Sequence, residues 1–297
     1  MLDMQRLRVL SAVARTGSVT AAARYLHYAQ PSISHHLARL EAETGAQLVQ
    51  RVGRGIRLTA AGQLLAGRAE EILGRLETAQ LELAAHVGLS AGTVRVASFA
   101  SGLLELMPPV IERLAAEHPG LDLHLTDTHP PEALELLRTG EADIALMFRY
   151  DDTPPDEGVR LTHLRDDATC LITPAGAGGT LADHRDARWI AGCARFQANL
   201  VDLCATAGFA PRIICSTDDI ATIQALVASG LGVAVLPRLA LASQRHPGIE
   251  ATEIPGAMRR IYAATYGEPP DPPPTAAVLN ALVAAARERG RVIDAGP

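Results

Sequence analysis

Residues 18–59 read SVTAAARYLHYAQPSISHHLARLEAETGAQLVQRVGRGIRLT. Two short helical patterns meet at a tight break and lead into a small β-hairpin, the pattern of a winged helix-turn-helix, which places one helix in a DNA groove. Just upstream, Leu7, Leu10, Val13 and Ala14 recur at helical spacing, so a first helix buries one face. Gly17 ends it, and Ser18 caps the next helix by accepting a backbone N–H. Ala21, Ala22 and Ala23, followed by Leu26, favour a helix that another can cross closely. The third helix, 30–43, opens at Gln30-Pro31, where the missing proline N–H costs nothing. Its Ile33, Leu37 and Leu40 point inward, whereas Ser32, His35, His36 and Arg39 lie on the opposite face with Ser34 at its edge. That outward face carries donors and few carboxylates, as groove reading requires; an ordinary solvated helix would look the same.

The hairpin favours the first reading. Short strands at 48–51 and 56–58 flank Val52-Gly53-Arg54-Gly55, a glycine-flanked tip that offers Arg54 to the strong negative potential of a minor groove. Charge agrees. Residues 1–60 hold eight Arg against three acidic residues, a net of +5, while the whole chain is −6, leaving −11 on residues 61–297. A basic head sits on an acidic body, and the head is the part that meets phosphates.

The head resembles the LysR-type transcriptional regulators. The resemblance runs through Ser18-x-Thr20-x-Ala22-Ala23-x-x-Leu26, Gln30-Pro31-x-x-Ser34, Leu40-Glu41, Gly45, Leu48, Arg51, Leu58-Thr59 and Gly62. Two positions depart from the family's habit: Ala29 stands where Ser is common, removing a capping or phosphate contact, and Val49 where Phe is common, a change of packing. The His35-His36 pair is also unusual and points to a particular operator. The DNA-binding set expected from pattern and resemblance is Ser18, Thr20, Gln30, Pro31, Ser32, Ser34, His35, His36, Arg39, Arg51, Arg54 and Thr59.

Residues 60–91 follow as a linker helix and hinge, with Thr59 as N-cap and Gly88–Gly92 ending the segment. Leu65, Ala69, Ile72, Leu76, Ala79 and Leu83 are spaced 4, 3, 4, 3 and 4, a coiled-coil seam; packing on the helix's own domain is the alternative. The resemblance implies that this helix pairs two subunits, so that a homodimer or homotetramer reads an inverted repeat in double-stranded DNA. RNA polymerase is a further partner if the protein activates.

From residue 93, strand and helix patterns alternate, which implies α/β architecture with a parallel sheet and crossover helices. Strands are expected at 93–98, 121–126, 142–148, 168–173, 212–216, 232–236 and 259–266, with helices at 103–117, 131–139, 196–207, 219–229 and 275–289. The resemblance implies a two-lobed, periplasmic-binding-protein-like effector domain over 92–297, with lobe I at about 92–162 and 266–297 and lobe II at about 163–265. Ligands of open α/β sheets sit beyond the carboxyl ends of the strands. That rule selects Ser98, Ser101, Thr128, His129, Phe148, Arg149, Phe196, Gln197, Asn199, Thr217 and Asp218 for a small-molecule effector. Helix capping is the competing role for Ser101 and Asp218. Helix N-termini and Arg149 favour a polar or anionic ligand.

Other classes fit less well. HExxH, CxxC and P-loop patterns are absent from the sequence, so no enzyme, cofactor or metal is expected; a metal at His35-His36 is a weaker reading than DNA or solvent contact. A solute-binding module shares the two-lobed body but would lack the basic head. The thiols at 170, 193, 204 and 215 leave a redox-sensing regulator as an alternative, with Cys193 and Cys204 pairing in a segment somewhat like the family's peroxide sensors. All 27 basic residues are Arg, which fits a GC-rich bacterial genome. Neither a signal peptide nor an apolar run of membrane-spanning length is seen, so a cytoplasmic location without membrane contact is expected.

Overall fold

In the computed structural model, which describes residues 2–52, 55–86, 92–150 and 158–293, the head forms around α1 (Met4–Thr16), α2 (Val19–Tyr25) and α3 (Gln30–Thr44). Asp3 caps α1 by accepting from the N–H groups of Gln5 and Arg6, and Gly17, at φ 65°, closes it in the left-handed region that glycine adopts freely. Leu7, Leu10, Val13, Ala22, Ala23, Ile33, Leu37 and Leu40 share one core, so the helical spacing in the sequence does face inward. The wing is β1 (Val49–Val52) paired antiparallel with β2 (Gly55–Leu58). Each strand reaches one residue further toward the tip than the pattern suggests, because Val52 pairs with Gly55. The tip, with Arg54, lies outside the described residues.

The linker is one helix, α4 (Ala60–His86). Gly62 lets its first turn press on the wing: a Cβ there would stand 2.0 Å from the Leu48 carbonyl oxygen. Ala66 and Ala69 complete the head core.

The body has β3 (Thr93–Ser98), α5 (Ala100–Glu105), α6 (Met107–Glu117), β4 (Asp122–Asp127), α7 (Pro130–Arg138), β5 (Ile144–Arg149) and β6 (Val159–Pro174). Then follow β7 (Arg188–Ala191), α8 (Ala194–Thr206), β8 (Arg212–Ser216), α9 (Ile220–Ala228), β9 (Val233–Pro237), α10 (Leu239–Ala242), β10 (Ile249–Tyr266) and α11 (Pro273–Ile293). One sheet runs β4-β3-β5-β10-β6-β9-β7-β8. It is parallel within each flank, β4-β3-β5 and β9-β7-β8, but β10 is antiparallel to β5 and β6, and β6 to β9. The wholly parallel expectation fails because the chain crosses between flanks along these two long strands. Each was half missed in the sequence: Val159–Pro174 begins with charged residues, and Ile249–Tyr266 is interrupted at Pro255-Gly256. The helix expected over 103–117 is two helices, since Pro108 and Pro109 open a new first turn after Leu106. Head and body meet where α4 crosses the end of α7. A Cβ on Gly74 would lie 2.6 Å from the Thr139 carbonyl oxygen, and one on Gly140 2.6 Å from the Gly74 Cα.

Candidate functional site

The outward face of α3 begins on Ala29, which supplies no side-chain cap, as that departure from the family pattern implies. Thr20, Gln30, Pro31, Ser32, Ser34, His35 and Arg39 are exposed. Gln30 Nε2 donates to Ser34 Oγ at 3.4 Å, and the half-buried His36 stacks on Tyr28 with ring centroids 6.1 Å apart. Ser18 and Thr59 have work inside the fold. Ser18 accepts from the Ala21 N–H; Thr59 Oγ1 donates to the Gln47 carbonyl at 2.6 Å and accepts from the Gly62 N–H at 3.0 Å. Glu41 accepts from the N–H groups of Leu48 and Val49, tying α3 to the wing. Arg51 lies on β1, in register with Ile56, and its side chain is outside the described residues.

The expected seam on α4 divides. Ala69 is fully buried against the chain's own head and Leu65 packs beside it, so neither is available to a second chain. Ala79 is exposed and borders the junction with Leu137 and Thr275. Ile72 and Leu76 face solvent, as does Leu64, which the seam reading missed. The Leu83 side chain and residues 88–91 of the hinge lie outside the described residues.

Between the flanks of the sheet is a cavity of about 770 Å³. It lies beyond the carboxyl ends of β3, β4, β7 and β8, where the chain turns into α5, α7, α8 and α9. Ser101, Thr128, His129, Phe148, Phe196 and Asp218 line it together. The other expected contacts do not. Ser98 is fully buried, with Oγ donating to the Phe99 carbonyl. Thr217 Oγ1 accepts from the Asp219 N–H. Gln197, Asn199 and Arg149 are outside the lining. The cavity instead carries Asp127, Glu132 and Asp219 beside Asp218, so an acidic rim replaces the cation expected from Arg149. Asp219 is held ionised, its pKa lowered by hydrogen bonds from the Thr222 hydroxyl and the Ala221 N–H.

Behind the aromatic wall lies Arg259, missed in the sequence because strand arginines are ordinarily solvated. It is fully buried. Nε donates to Asp167 Oδ2 at 2.8 Å and Nη2 to Ser101 Oγ at 2.9 Å. Its guanidinium carbon lies 5.0, 4.6 and 5.7 Å from the ring centres of Phe99, Phe148 and Phe196. Asp167 Oδ1 accepts from the Leu239 N–H. Arg195 Nη1 donates to the Phe148 carbonyl, a second tie between the flanks.

The thiols do not form the pair expected of a redox sensor. Cys193 directly precedes α8 and Cys204 lies eleven residues further along, about 16 Å apart at helical rise, whereas a disulfide needs Cα atoms within about 7 Å. Burial also pushes the Cys204 thiol up to about 11, away from reactive thiolate. Peroxide treatment is therefore expected to leave Cys193 and Cys204 unlinked, checked by peptide mass spectrometry.

Residues 4–63 match the bacterial regulatory helix-turn-helix protein, lysR family, and residues 88–287 match the LysR substrate binding domain. The probable HTH-type transcriptional regulator LrrA of Synechococcus elongatus is 29% identical over 269 residues, covering 89% of this chain and 90% of its own. The nitrogen assimilation regulatory protein nac of Escherichia coli is 30% identical over 250 residues, covering 82% and 80%. Among solved structures, CbnR, a LysR family transcriptional regulator, superposes with a TM-score of 0.67 at 24% identity, covering 96% of this chain and 99% of that one. The same protein solved with its target DNA gives 0.65 over 96% and 100%. No helix among the described residues is long and apolar enough to cross a membrane.

Proposed function

This chain belongs to the LysR family of bacterial DNA-binding transcriptional regulators, and on that premise we propose that α3 reads an inverted-repeat operator while a small molecule in the interlobe cavity sets how paired subunits hold their heads. The observation that carries the reading is the exposed face of α3, where Ser32, Ser34, His35 and Arg39 stand outward on a head of net charge +5. Arginine contacts to phosphate supply sequence-independent affinity and make it fall with salt, while side chains at base edges choose among sequences. Arg54 on the wing belongs to the first group and His35 to the second.

The cavity is read as a binding site, not a catalytic one, and the protein as a cytoplasmic regulator. A ligand switches the protein only by binding one arrangement of the lobes more tightly than another. Residues 92–297 form the responding domain, and α4 transmits its state to the head through the Gly74–Gly140 crossing.

Arg54→Ala is expected to weaken binding to all DNA duplexes and to lower the steepness of its salt dependence by about one ion. His35→Ala is expected to change the ranking of operator variants by about 1–3 kcal/mol at one base pair. Fluorescence anisotropy across salt and operator series measures both. If both variants bind like the unmodified protein, the head does not read DNA in this way.

A further inference from the structure

Three side chains at the cavity belong to neither the aromatic wall nor the buried ion pair. His129 precedes α7, Cys193 precedes α8 without a side-chain capping bond, and Asp218 precedes α9. One comes from the β4-β3-β5 flank and two from the β9-β7-β8 flank, and all three line the cavity. One ligand atom from each lies within 4.8 Å of the other two, and His129 Nε2 stands 3.3 Å from Asp218 Oδ2. The geometry points to a binding site for a divalent transition-metal ion of the Zn²⁺ class, held by His129, Cys193 and Asp218 across the interlobe cleft.

The donor set carries the chemistry. An imidazole nitrogen, a thiolate sulfur and a carboxylate oxygen suit borderline ions such as Zn²⁺ or Co²⁺, whereas Mg²⁺ and Ca²⁺ take oxygen. Tetrahedral ligands at ordinary bond lengths stand roughly 3.5 Å apart, so only a slight closing of the triad is needed. An ion pair alone leaves the sulfur unexplained. His129 and Asp218 are about half exposed, at 46% and 53%, where a pair contributes little, and a thiol is a weak hydrogen-bonding partner for either. The acidic rim of Asp127, Glu132 and Asp219 adds attraction for a cation.

Binding converts the Cys193 thiol to thiolate and releases its proton to solvent. Three protein ligands leave a fourth position facing the cavity, open to water or to a donor atom of a small molecule. Because the ligands come from both flanks, the ion favours the arrangement that brings them together. Only this last consequence rests on the regulatory reading; occupation of the site does not.

The test uses the full-length protein, stripped with a chelator under reducing conditions and titrated with Co²⁺ alone. We expect one Co²⁺ per chain, a thiolate-to-cobalt charge-transfer absorption, and its loss when Zn²⁺ is added. Cys193→Ser should abolish that absorption, while Cys215→Ser, at a half-buried thiol outside the cavity lining, should keep it. Asp218→Asn retains the thiol and should weaken Co²⁺ binding at least about tenfold. Absence of the absorption in the unmodified protein, its persistence in Cys193→Ser, or unchanged affinity in Asp218→Asn overturns the site. DNA binding measured on the same samples separates the two readings. Operator binding without cobalt absorption removes the metal site alone, and cobalt absorption without DNA binding removes the regulatory reading alone.

Discussion

Asp167→Ala should cost the body about 3–5 kcal/mol of unfolding free energy, because it strands a buried cation. The Arg259 and Asp167 side chains are 0% and 1% exposed, so water cannot replace the missing carboxylate. The substitution leaves Arg259 Nε without its 2.8 Å acceptor and takes from the Leu239 N–H the oxygen it donates to. Arg259 Nη1 already has no partner among the described residues, so the guanidinium would keep only Ser101 and the three rings. Replacing both partners, as Asp167→Leu with Arg259→Met, should cost much less, since the penalty lies in the unpaired charge more than in the lost attraction. Urea unfolding followed by Trp189 fluorescence measures this: Trp189 is the chain's single tryptophan and is fully buried on β7. A loss below about 1 kcal/mol for Asp167→Ala would show that the pair does not hold the body together. The substitution should also loosen the cavity, because Phe99, Phe148 and Phe196 line it and surround Arg259.

That ion pair also marks where the sequence stops being informative. The head is legible because its signals are local: Gly17 closes α1 with φ 65°, Pro31 opens α3, and Ile33, Leu37 and Leu40 face one core. The cavity is legible only so far as topology dictates it. Ser101, Thr128, His129 and Asp218 follow strand ends, and the carboxyl-end rule reaches them. Ser98 also ends a strand, but its side chain turns inward, a choice the pleat makes and spacing does not reveal. Arg259 and Asp167 meet across 92 residues because β10 and β6 pair antiparallel, with Arg259 opposite Asp167 in the register. Cys193 joins His129 and Asp218 through topology as well. Each sits in a different strand-to-helix turn, so no short motif announces the cluster. β7 carries little sequence signal, because Arg188–Ala191 is four residues long and lies between turn-like stretches.

The linker helix offers the second large effect. Its 27 residues span about 40 Å, and the apolar side chains Ile72 and Leu76 are 40% and 37% exposed, with Leu64 at 69%. Ile72 and Leu76 continue the stripe of Ala69 along α4, but Ala69 is fully buried under the head whereas they lie beyond it, and Leu64 stands to one side of that stripe. A second copy of this chain fits that exposed face, because two α4 helices side by side would cover it and set two heads on one duplex. Ile72→Glu with Leu76→Glu would place two carboxylates from each subunit in that seam, where opposed like charges lose both apolar burial and solvation. The variant is expected to run as a monomer in light scattering. Its affinity for an inverted repeat should fall roughly 10²–10⁴-fold, the advantage of joining two weak heads. Binding to a single half-site should change little, because both residues are solvent-facing in the isolated chain. A variant that stays dimeric would mean the subunits join elsewhere. A monomer that keeps full affinity for the repeat would mean the heads do not read it as a pair.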